Sequence, residues 1–248
     1  MERLIRIGFR VAVLALFLPL GAGAAEGLRE ERAAMVKVIE AGVRDTGRSL
    51  GRDTLKPTVL AAMGRVPRHE LVPEDVRDAA YRNHPLPIGY GQTISQPYIV
   101  AIMTDLVEAG PGDRVLEVGT GSGYQAAVLA EVADEVYTLE IIPELARRAH
   151  RDLQRLGYTN VTARQGDGYF GWPEHAPYDA IVVTAGATHV PPPLIEQLKP
   201  GGRLIIPVGS RFLTQQLLLL TKAADGSVTT RQVLPVRFVP LTGGRDAP

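Results

Sequence analysis

The stretch VLEVGTGSGYQAAVLAE, residues 115–131, decides the fold. It begins as a short apolar run, typical of a buried strand, and it ends with the composition of a helix. Between the two, Gly119, Gly121 and Gly123 let the backbone turn sharply and pass close beneath a ligand. A strand, a glycine loop and a helix in this order predict the first unit of an α/β sheet, with a ligand site at the loop.

Strand-like and helix-like segments keep alternating after this stretch, which favours a parallel sheet. The sequence predicts an α/β fold with a doubly wound, mostly parallel Rossmann-like sheet and helices on both faces. Residues 27–81 predict a helical N-terminal extension, and residues 214–241 predict a C-terminal β-hairpin that turns at 224–227. The other predicted strands are 135–141, 161–168, 178–186 and 203–209, and the predicted helices between them are 143–157 and 192–202.

The N-terminus has the pattern of an export signal. Three arginines in the first ten residues precede the apolar run VAVLALFLPL, and Ala22, Gly23 and Ala24 then fit the small-x-small cleavage pattern. We therefore predict a signal peptide over residues 1–24 and an exported or periplasmic protein. The alternatives are a misplaced start codon or an amphipathic helix on a cytoplasmic protein. The remainder, residues 25–248, predicts one domain, with a helical part and substrate loop over 28–95 and the cofactor-binding core over 96–248.

Composition excludes several classes of function. The 27 basic and 27 acidic residues balance, and no long basic run is present, so nucleic-acid binding has no electrostatic support. The absence of cysteine excludes disulfides, zinc–thiolate sites and thiol catalysis. The histidines lack the spacing of metal ligands, so no metal site is predicted; they are His69, His84, His150, His175 and His189.

Acidic residues stand at the predicted strand ends around the glycine loop. Glu117 precedes the glycines, and Glu140 ends the next strand, where a carboxylate can accept hydrogen bonds from both ribose hydroxyls. Asp167 and Gly168 follow the third strand, and Asp167 is placed to accept from the adenine amine. The alternatives are that Glu140 caps the next helix and that Asp167 only shapes a turn.

The glycine spacing decides which nucleoside cofactor is expected. It is G-x-G-x-G, and Tyr124 stands where the dinucleotide fingerprint G-x-G-x-x-G has its last glycine. A carboxylate at Glu117 disfavours a pyrophosphate but suits the sulfonium and amine of S-adenosylmethionine. We therefore predict S-adenosylmethionine, with Gly119, Gly121, Gly123 and Gly168 as backbone contacts. A dehydrogenase that merely shares the loop is the competing interpretation.

Several blocks together give the chain a family resemblance: RVPRHELVPE, LPIGYGQTISQPYIVAIMTDLVE, GDGYFGWPEHAPYDAIVVTAGA, LKPGGRLIIPVG and VRFVPLTG. With residues 115–131, they resemble the protein-L-isoaspartate O-methyltransferases. The resemblance implies methyl transfer from S-adenosylmethionine to the free α-carboxyl of L-isoaspartyl residues in damaged proteins and peptides, and we expect a monomer. It also implies a cytoplasmic protein, so the N-terminal apolar segment departs from the family pattern.

Ser95, within GQTISQP, raises a question of role. No G-x-S-x-G elbow is present, and no motif places a histidine near Ser95, so a serine nucleophile is not indicated. The resemblance implies that Ser95 is the active-site residue, which fixes the acceptor carboxylate together with the loop at Thr93 and Ile94. The alternative is a cap on a helix that starts near Pro97.

Two threonines are further expected at the site. Thr184 follows the fourth strand, where the acceptor should meet the cofactor methyl, and Thr242 matches a family position near cofactor and substrate. The alternative for both is ordinary loop or edge-strand structure. Two classes compete for the whole chain, namely a small-molecule O-methyltransferase on the same scaffold and a non-catalytic binding module. GQTISQP argues against the former and against the dehydrogenase.

Overall fold

A computed structural model describes residues 20–210 and 213–244, with side chains described from residue 26 onward. Residues 1–19 of the predicted signal segment lie outside the described residues, and residues 20–24 form the start of the first helix. The predicted cleavage position after Ala24 therefore falls within that helix.

The N-terminal part is largely helical, which confirms the predicted extension. It contains α1 (Leu20–Leu50), α2 (Pro57–Arg65) and α3 (Pro97–Leu106). On α1, Met35, Ile39 and Val43 recur every four residues and are buried, so this stripe forms the face that packs against α2 and α3. Every residue of α3 is buried, because other elements cover this helix on all sides.

A small hairpin precedes α3, and the sequence did not predict it. The hairpin pairs β1 (Leu86–Gly89) with β2 (Gln92–Ile94) in antiparallel fashion. Pro87 fits in this hairpin because a two-stranded ribbon tolerates a residue without an N–H group. The tip residues Gly89, Tyr90 and Gly91 all have positive φ, of 89°, 55° and 69°. The buried side chains of the hairpin anchor it, and the tip faces solvent.

The main sheet has seven strands and confirms the predicted fold class. Its spatial order is β5-β4-β3-β6-β7-β8-β9; the first five strands are parallel, and β8 and β9 form the predicted antiparallel C-terminal hairpin. Their bounds are β3 (Arg114–Val118), β4 (Glu135–Glu140), β5 (Val161–Gln165), β6 (Tyr178–Val183), β7 (Leu198–Val208), β8 (Gln215–Lys222) and β9 (Val228–Val236).

Two hydrophobic clusters lie on opposite faces of this sheet. One packs α1 to α3, α4 (Tyr124–Ala130) and α5 (Pro143–Arg155) on residues such as Val115. The other packs α6 (Pro192–Glu196) and nearby 3-10 turns on Leu116 and Val118. Adjacent residues of β3 point to opposite faces, as the alternation of a strand requires.

The helix predicted over residues 192–202 is too long. The structure ends α6 at Glu196, and β7 begins at Leu198, paired with Tyr178 of β6. A side chain at Gly202 would meet the Asp179 carbonyl oxygen at 2.8 Å. The glycine therefore allows a close approach between strands, and it does not stop a helix.

The strand order places a ligand site. From β3 the chain moves to β4 on one side, and it later returns to β6 on the other side of β3. In open α/β sheets, ligands bind at such a switch point, beyond the carboxyl ends of the strands. Here the strands end at Val118, Glu140 and Val183, so the glycine loop lies at the switch point.

Candidate active site

A cleft of about 730 Å³ opens at the switch point and brings most of the predicted site residues together. Gly123 and Asp167 are the two predicted residues that do not line it. The described residues contain no group of three or more His, Asp or Glu side chains placed to hold a metal ion. The predicted residues that line the cleft are Thr93, Ile94, Ser95, Glu117, Gly119, Gly121, Glu140, Gly168, Thr184 and Thr242.

The glycine loop is held close to the end of β6. Thr184 Oγ1 donates toward the carbonyl oxygens of Gly119, at 2.6 Å, and Val118, at 3.0 Å. Gly119 has φ of 100°, and a side chain there would meet Thr184 Oγ1 at 2.6 Å. Only glycine fits this crossing. Gly123 acts differently, because it directly precedes α4 with φ of 86°, and a side chain there would meet Leu153 Cδ1 at 3.2 Å.

Glu140 is a buried and oriented carboxyl group. It is 6% exposed, its Oε2 accepts from the Gly121 N–H at 2.8 Å, and its Oε1 accepts from the Ile142 N–H at 2.9 Å. Ile142 directly precedes α5, so Glu140 also bonds a backbone N–H at the start of the next helix, as the capping alternative predicted. A carboxylate has about four acceptor sites, so two protein bonds leave sites for a diol.

Glu117 is fully buried and only half satisfied. Thr138 Oγ1 donates to Glu117 Oε2 at 2.6 Å, and Thr120 Oγ1 lies 2.5 Å from that same hydroxyl. Oε1 has no hydrogen-bond partner among the described residues. The pKa of Glu117 is raised to about 8, chiefly by burial; the Thr138 hydrogen bond acts to lower it, and the charge of Glu140 contributes to the rise. A cationic donor in the cleft would satisfy this oxygen, so the site fits S-adenosylmethionine.

Asp167 lies beside the cleft and holds the chain around it. Oδ1 accepts from the Tyr169 N–H at 2.9 Å, and Oδ2 accepts from the Gly244 N–H at 2.7 Å. These bonds support the turn-shaping alternative and also tie the C-terminal segment to the site. A side chain at Gly168 would meet Val118 Cγ1 at 2.3 Å, so the loop passes tightly over the end of β3.

Ser95 lies where the cleft meets a second groove, of about 950 Å³. Thr93, Ser95, Thr184 and Val239 line both. The capping alternative for Ser95 finds no support, since the residue before α3 is Gln96, and it makes no side-chain cap bond. The Tyr98 N–H of the first turn is instead bonded by Asn83 Oδ1 at 3.0 Å.

The C-terminal segment builds the wall that the cleft and the groove share. The Gly186 N–H donates to Val239 O, and the Leu241 N–H donates to Gly186 O, both at 2.8 Å. From this segment, the sequence predicted only Thr242 as a site residue. It missed Val239, and it missed Arg237, the only ionisable residue among the described residues that line the groove. The block VRFVPLTG was the available signal, but no periodicity in it points to a site.

The comparison with a family model decides the family. The model for Protein-L-isoaspartate(D-aspartate) O-methyltransferase (PCMT) matches residues 49–246. The chain belongs to this family. A protein-L-isoaspartate O-methyltransferase 1 of Cupriavidus necator is 62% identical over 234 residues, which cover 94% of this chain and 90% of that protein. A protein-L-isoaspartate O-methyltransferase 2 of Polaromonas is 63% identical over 85% of this chain and its own full length.

Solved structures agree with this membership. One protein-L-isoaspartate O-methyltransferase superposes with a TM-score of 0.73 at 31% identity, covering 84% of this chain and 66% of that one. A Plasmodium falciparum protein assigned to the same family superposes with a TM-score of 0.70 at 25% identity, covering 86% of this chain and 98% of that one. It was solved in complex with S-adenosyl-L-homocysteine. Isoaspartate methyltransferases use S-adenosylmethionine as the methyl donor.

Proposed function

We propose that this chain is a protein-repair methyltransferase. It transfers a methyl group from S-adenosylmethionine to the free α-carboxyl of L-isoaspartyl residues in damaged proteins and peptides. The methyl ester then closes to a succinimide, which hydrolyses in part to normal aspartate. The observation that carries the proposal is the meeting of a cofactor cleft and a groove at Ser95, in a chain of this family.

The reaction needs no acid or base from the protein. An O–CH₃ bond forms as the S–CH₃ bond breaks, the sulfur keeps the electron pair, and no proton is transferred. The acceptor carboxylate is ionised at neutral pH, so it needs no general base. What remains is alignment and exclusion of water, which contribute up to about 7–11 kcal/mol in well-oriented reactions.

Ser95 is the residue proposed to align the acceptor. Ser95 lines both the cleft and the groove, and Asn83 Oδ1, not Ser95, accepts from the Tyr98 N–H in the first turn of α3. With the backbone at Thr93 and Ile94, it forms a donor set for one carboxylate oxygen. Thr184 shapes the opposite side, because its hydroxyl is committed to the glycine loop.

The cofactor is proposed to bind along the cleft, where Glu117, Glu140 and the glycines that line it take their predicted roles. Glu140 accepts from the ribose hydroxyls and simultaneously fixes the loop at Gly121. Glu117 provides negative charge toward the cationic end of the cofactor. Gly119 and Gly168 let the backbone approach closely, and Asp167 lies at the adenine end.

A matched pair of peptides tests this function. Transfer of labelled methyl from S-adenosylmethionine is measured with an isoaspartyl peptide and with its aspartyl twin. We expect labelling of the isoaspartyl peptide alone, as a base-labile ester. Equal labelling of both peptides would contradict the proposal, and labelling of small carboxylic acids alone would favour the small-molecule alternative.

For location and assembly, we propose that residues 1–24 direct export, that cleavage follows Ala24, and that residues 25–248 act as one monomeric domain. The basic start, apolar middle and Ala-x-Ala end support export. Among the described residues, no helix has the length and apolar character needed to cross a membrane. N-terminal sequencing of protein from fractionated cells tests export; a cytoplasmic chain beginning at Met1 would contradict it. Sedimentation of the purified protein tests the monomer.

A further inference from the structure

Gln125 carries a buried amide oxygen that nothing in the described protein satisfies. It is the second residue of α4, it is 4% exposed, and it lines the cofactor cleft. Its Oε1 has no hydrogen-bond partner among the described residues. Buried polar atoms are nearly always paired, so an orphaned acceptor in a ligand cleft indicates a ligand donor.

The neighbouring helix fixes which end of the amide is free. Thr104 Oγ1 donates its only proton to the Val100 carbonyl oxygen at 2.8 Å, within α3. Thr104 Oγ1 can then only accept, and it accepts from Gln125 Nε2 at 2.8 Å. A flipped amide would set two acceptors against each other. The unpaired atom of Gln125 is therefore its oxygen.

The unpaired atoms of the cleft share one chemical character. Four buried side-chain atoms lack partners in the described part of the chain, and two of them are donors on Arg32 and Arg68. The two acceptors, Gln125 Oε1 and Glu117 Oε1, both belong to residues that line the cleft. Their complement is a cation that carries several N–H donors.

We infer that Gln125 Oε1, together with Glu117, binds the ammonium group at the amino-acid end of S-adenosylmethionine. This inference rests on the proposed function, which places that cofactor in the cleft. The ammonium group offers three donors and a positive charge, whereas the ribose has its own acceptor in Glu140, on the side of the cleft formed by β4. Gln125 lies on α4, its amide bonds to Thr104 of α3, and Thr104 is the positioning residue that holds this amide.

Calorimetry with two ligands tests the inference without using activity. S-adenosylhomocysteine has the ammonium group; 5′-methylthioadenosine has the same adenosine and thioether but no amino-acid end. We expect Gln125→Met to weaken S-adenosylhomocysteine binding about tenfold or more, and to leave methylthioadenosine within about twofold. Thr104→Val, which releases the amide, should weaken S-adenosylhomocysteine in the same selective way by a smaller factor.

The remaining outcomes distinguish a failure of the Gln125 inference from a failure of the cofactor assignment. An equal loss for both ligands would show that Gln125 only shapes the cleft, and no loss for either would show that its oxygen has another partner. Each result overturns the inference. Failure of the wild-type protein to bind S-adenosylhomocysteine would instead overturn the cofactor assignment. The melting temperature of Gln125→Met should change little, because the change removes the unpaired oxygen together with the bond to Thr104. If this variant does not fold, Thr104→Val decides the test.

Discussion

The two halves of the proposed site are built differently. On the cofactor side, Glu117 and Glu140 are buried at the ends of neighbouring parallel strands, and protein groups already hold them. On the acceptor side, Ser95, Thr184 and Val239 come from distant parts of the chain and are only half-buried. The cofactor side is therefore suited to one fixed small molecule, and the acceptor side to a segment of another protein.

This difference predicts distinct signatures on mutation. Changes on the cofactor side should act on the dissociation constant of S-adenosylmethionine, because the groups there contact it before any acceptor arrives. Changes on the acceptor side should act on turnover or on peptide KM. The following predictions test that division.

Glu140→Ala should have the largest effect. It removes the proposed acceptor for the ribose hydroxyls and frees the backbone N–H groups of Gly121 and Ile142. We expect binding of S-adenosylmethionine to weaken by about 3 kcal/mol, or about 150-fold, as measured by calorimetry. Peptide KM at saturating cofactor should stay near its wild-type value. An unchanged cofactor dissociation constant would place the ribose elsewhere.

Ser95→Ala should lower turnover, because Ser95 lies on the acceptor side of the proposed site. It removes one donor to a charged group, and we expect kcat to fall by about 2 kcal/mol of transition-state stabilisation, or about 30-fold. The dissociation constant of S-adenosylmethionine should change by less than about twofold. Ser95→Thr serves as the control, because it keeps a hydroxyl donor. Full turnover by Ser95→Ala would leave the serine without a role in alignment.

Glu117 should make cofactor affinity depend on pH. Its pKa of about 8 means that the free protein keeps this proton below pH 8. A cation beside it favours the carboxylate, so binding releases the proton, and affinity should rise about tenfold from pH 6 to pH 7, below the range in which the cofactor's own amino group loses its charge. Calorimetry in buffers of different ionisation enthalpy also counts the released proton. Glu117→Gln should flatten the profile; a profile identical to wild type would refute the assignment.

Arg237 should have the smallest effect, on peptide preference. As the only ionisable residue among the described lining of the groove, it favours acidic residues beside the isoaspartyl position. An exposed pair contributes at most about 1 kcal/mol, so we expect about fivefold or less in KM between Glu-flanked and Lys-flanked peptides. Arg237→Glu should invert the order. An unchanged order would show that this charge does not contact the peptide.

The sequence predicted which residues meet at the cleft on the proposed cofactor side, because the signals there are local. A buried strand, a glycine loop and a helix follow one another within residues 115–131, and Glu140 ends the next predicted strand. Parallel strands bring such ends to one edge without further information. The sequence did not show that Asp167 is bonded to Gly244, because those residues meet only through tertiary folding.

The acceptor side was predicted less completely, because its residues come together only through contacts between segments that are distant in the sequence. The family resemblance implies the role of Ser95, which stays a prediction, whereas the cap at Asn83 and the wall at Val239 depend on contacts between distant segments. The hairpin before α3 was missed because a proline usually breaks a strand. Pro87 lies in a two-stranded ribbon, which is an exception to that rule. Arg237 carries no local pattern that distinguishes it from a surface arginine.

One measurement tests the central claim, that cofactor binding and acceptor alignment are separate and meet at Ser95. Wild type and Ser95→Ala are each loaded with labelled S-adenosylmethionine, and a single turnover is followed with the isoaspartyl peptide and its aspartyl twin. We predict equal loading of both proteins, transfer to the isoaspartyl peptide alone, and transfer about 30-fold slower in Ser95→Ala. Equal transfer to both peptides, or full-rate transfer by the variant, would contradict the account.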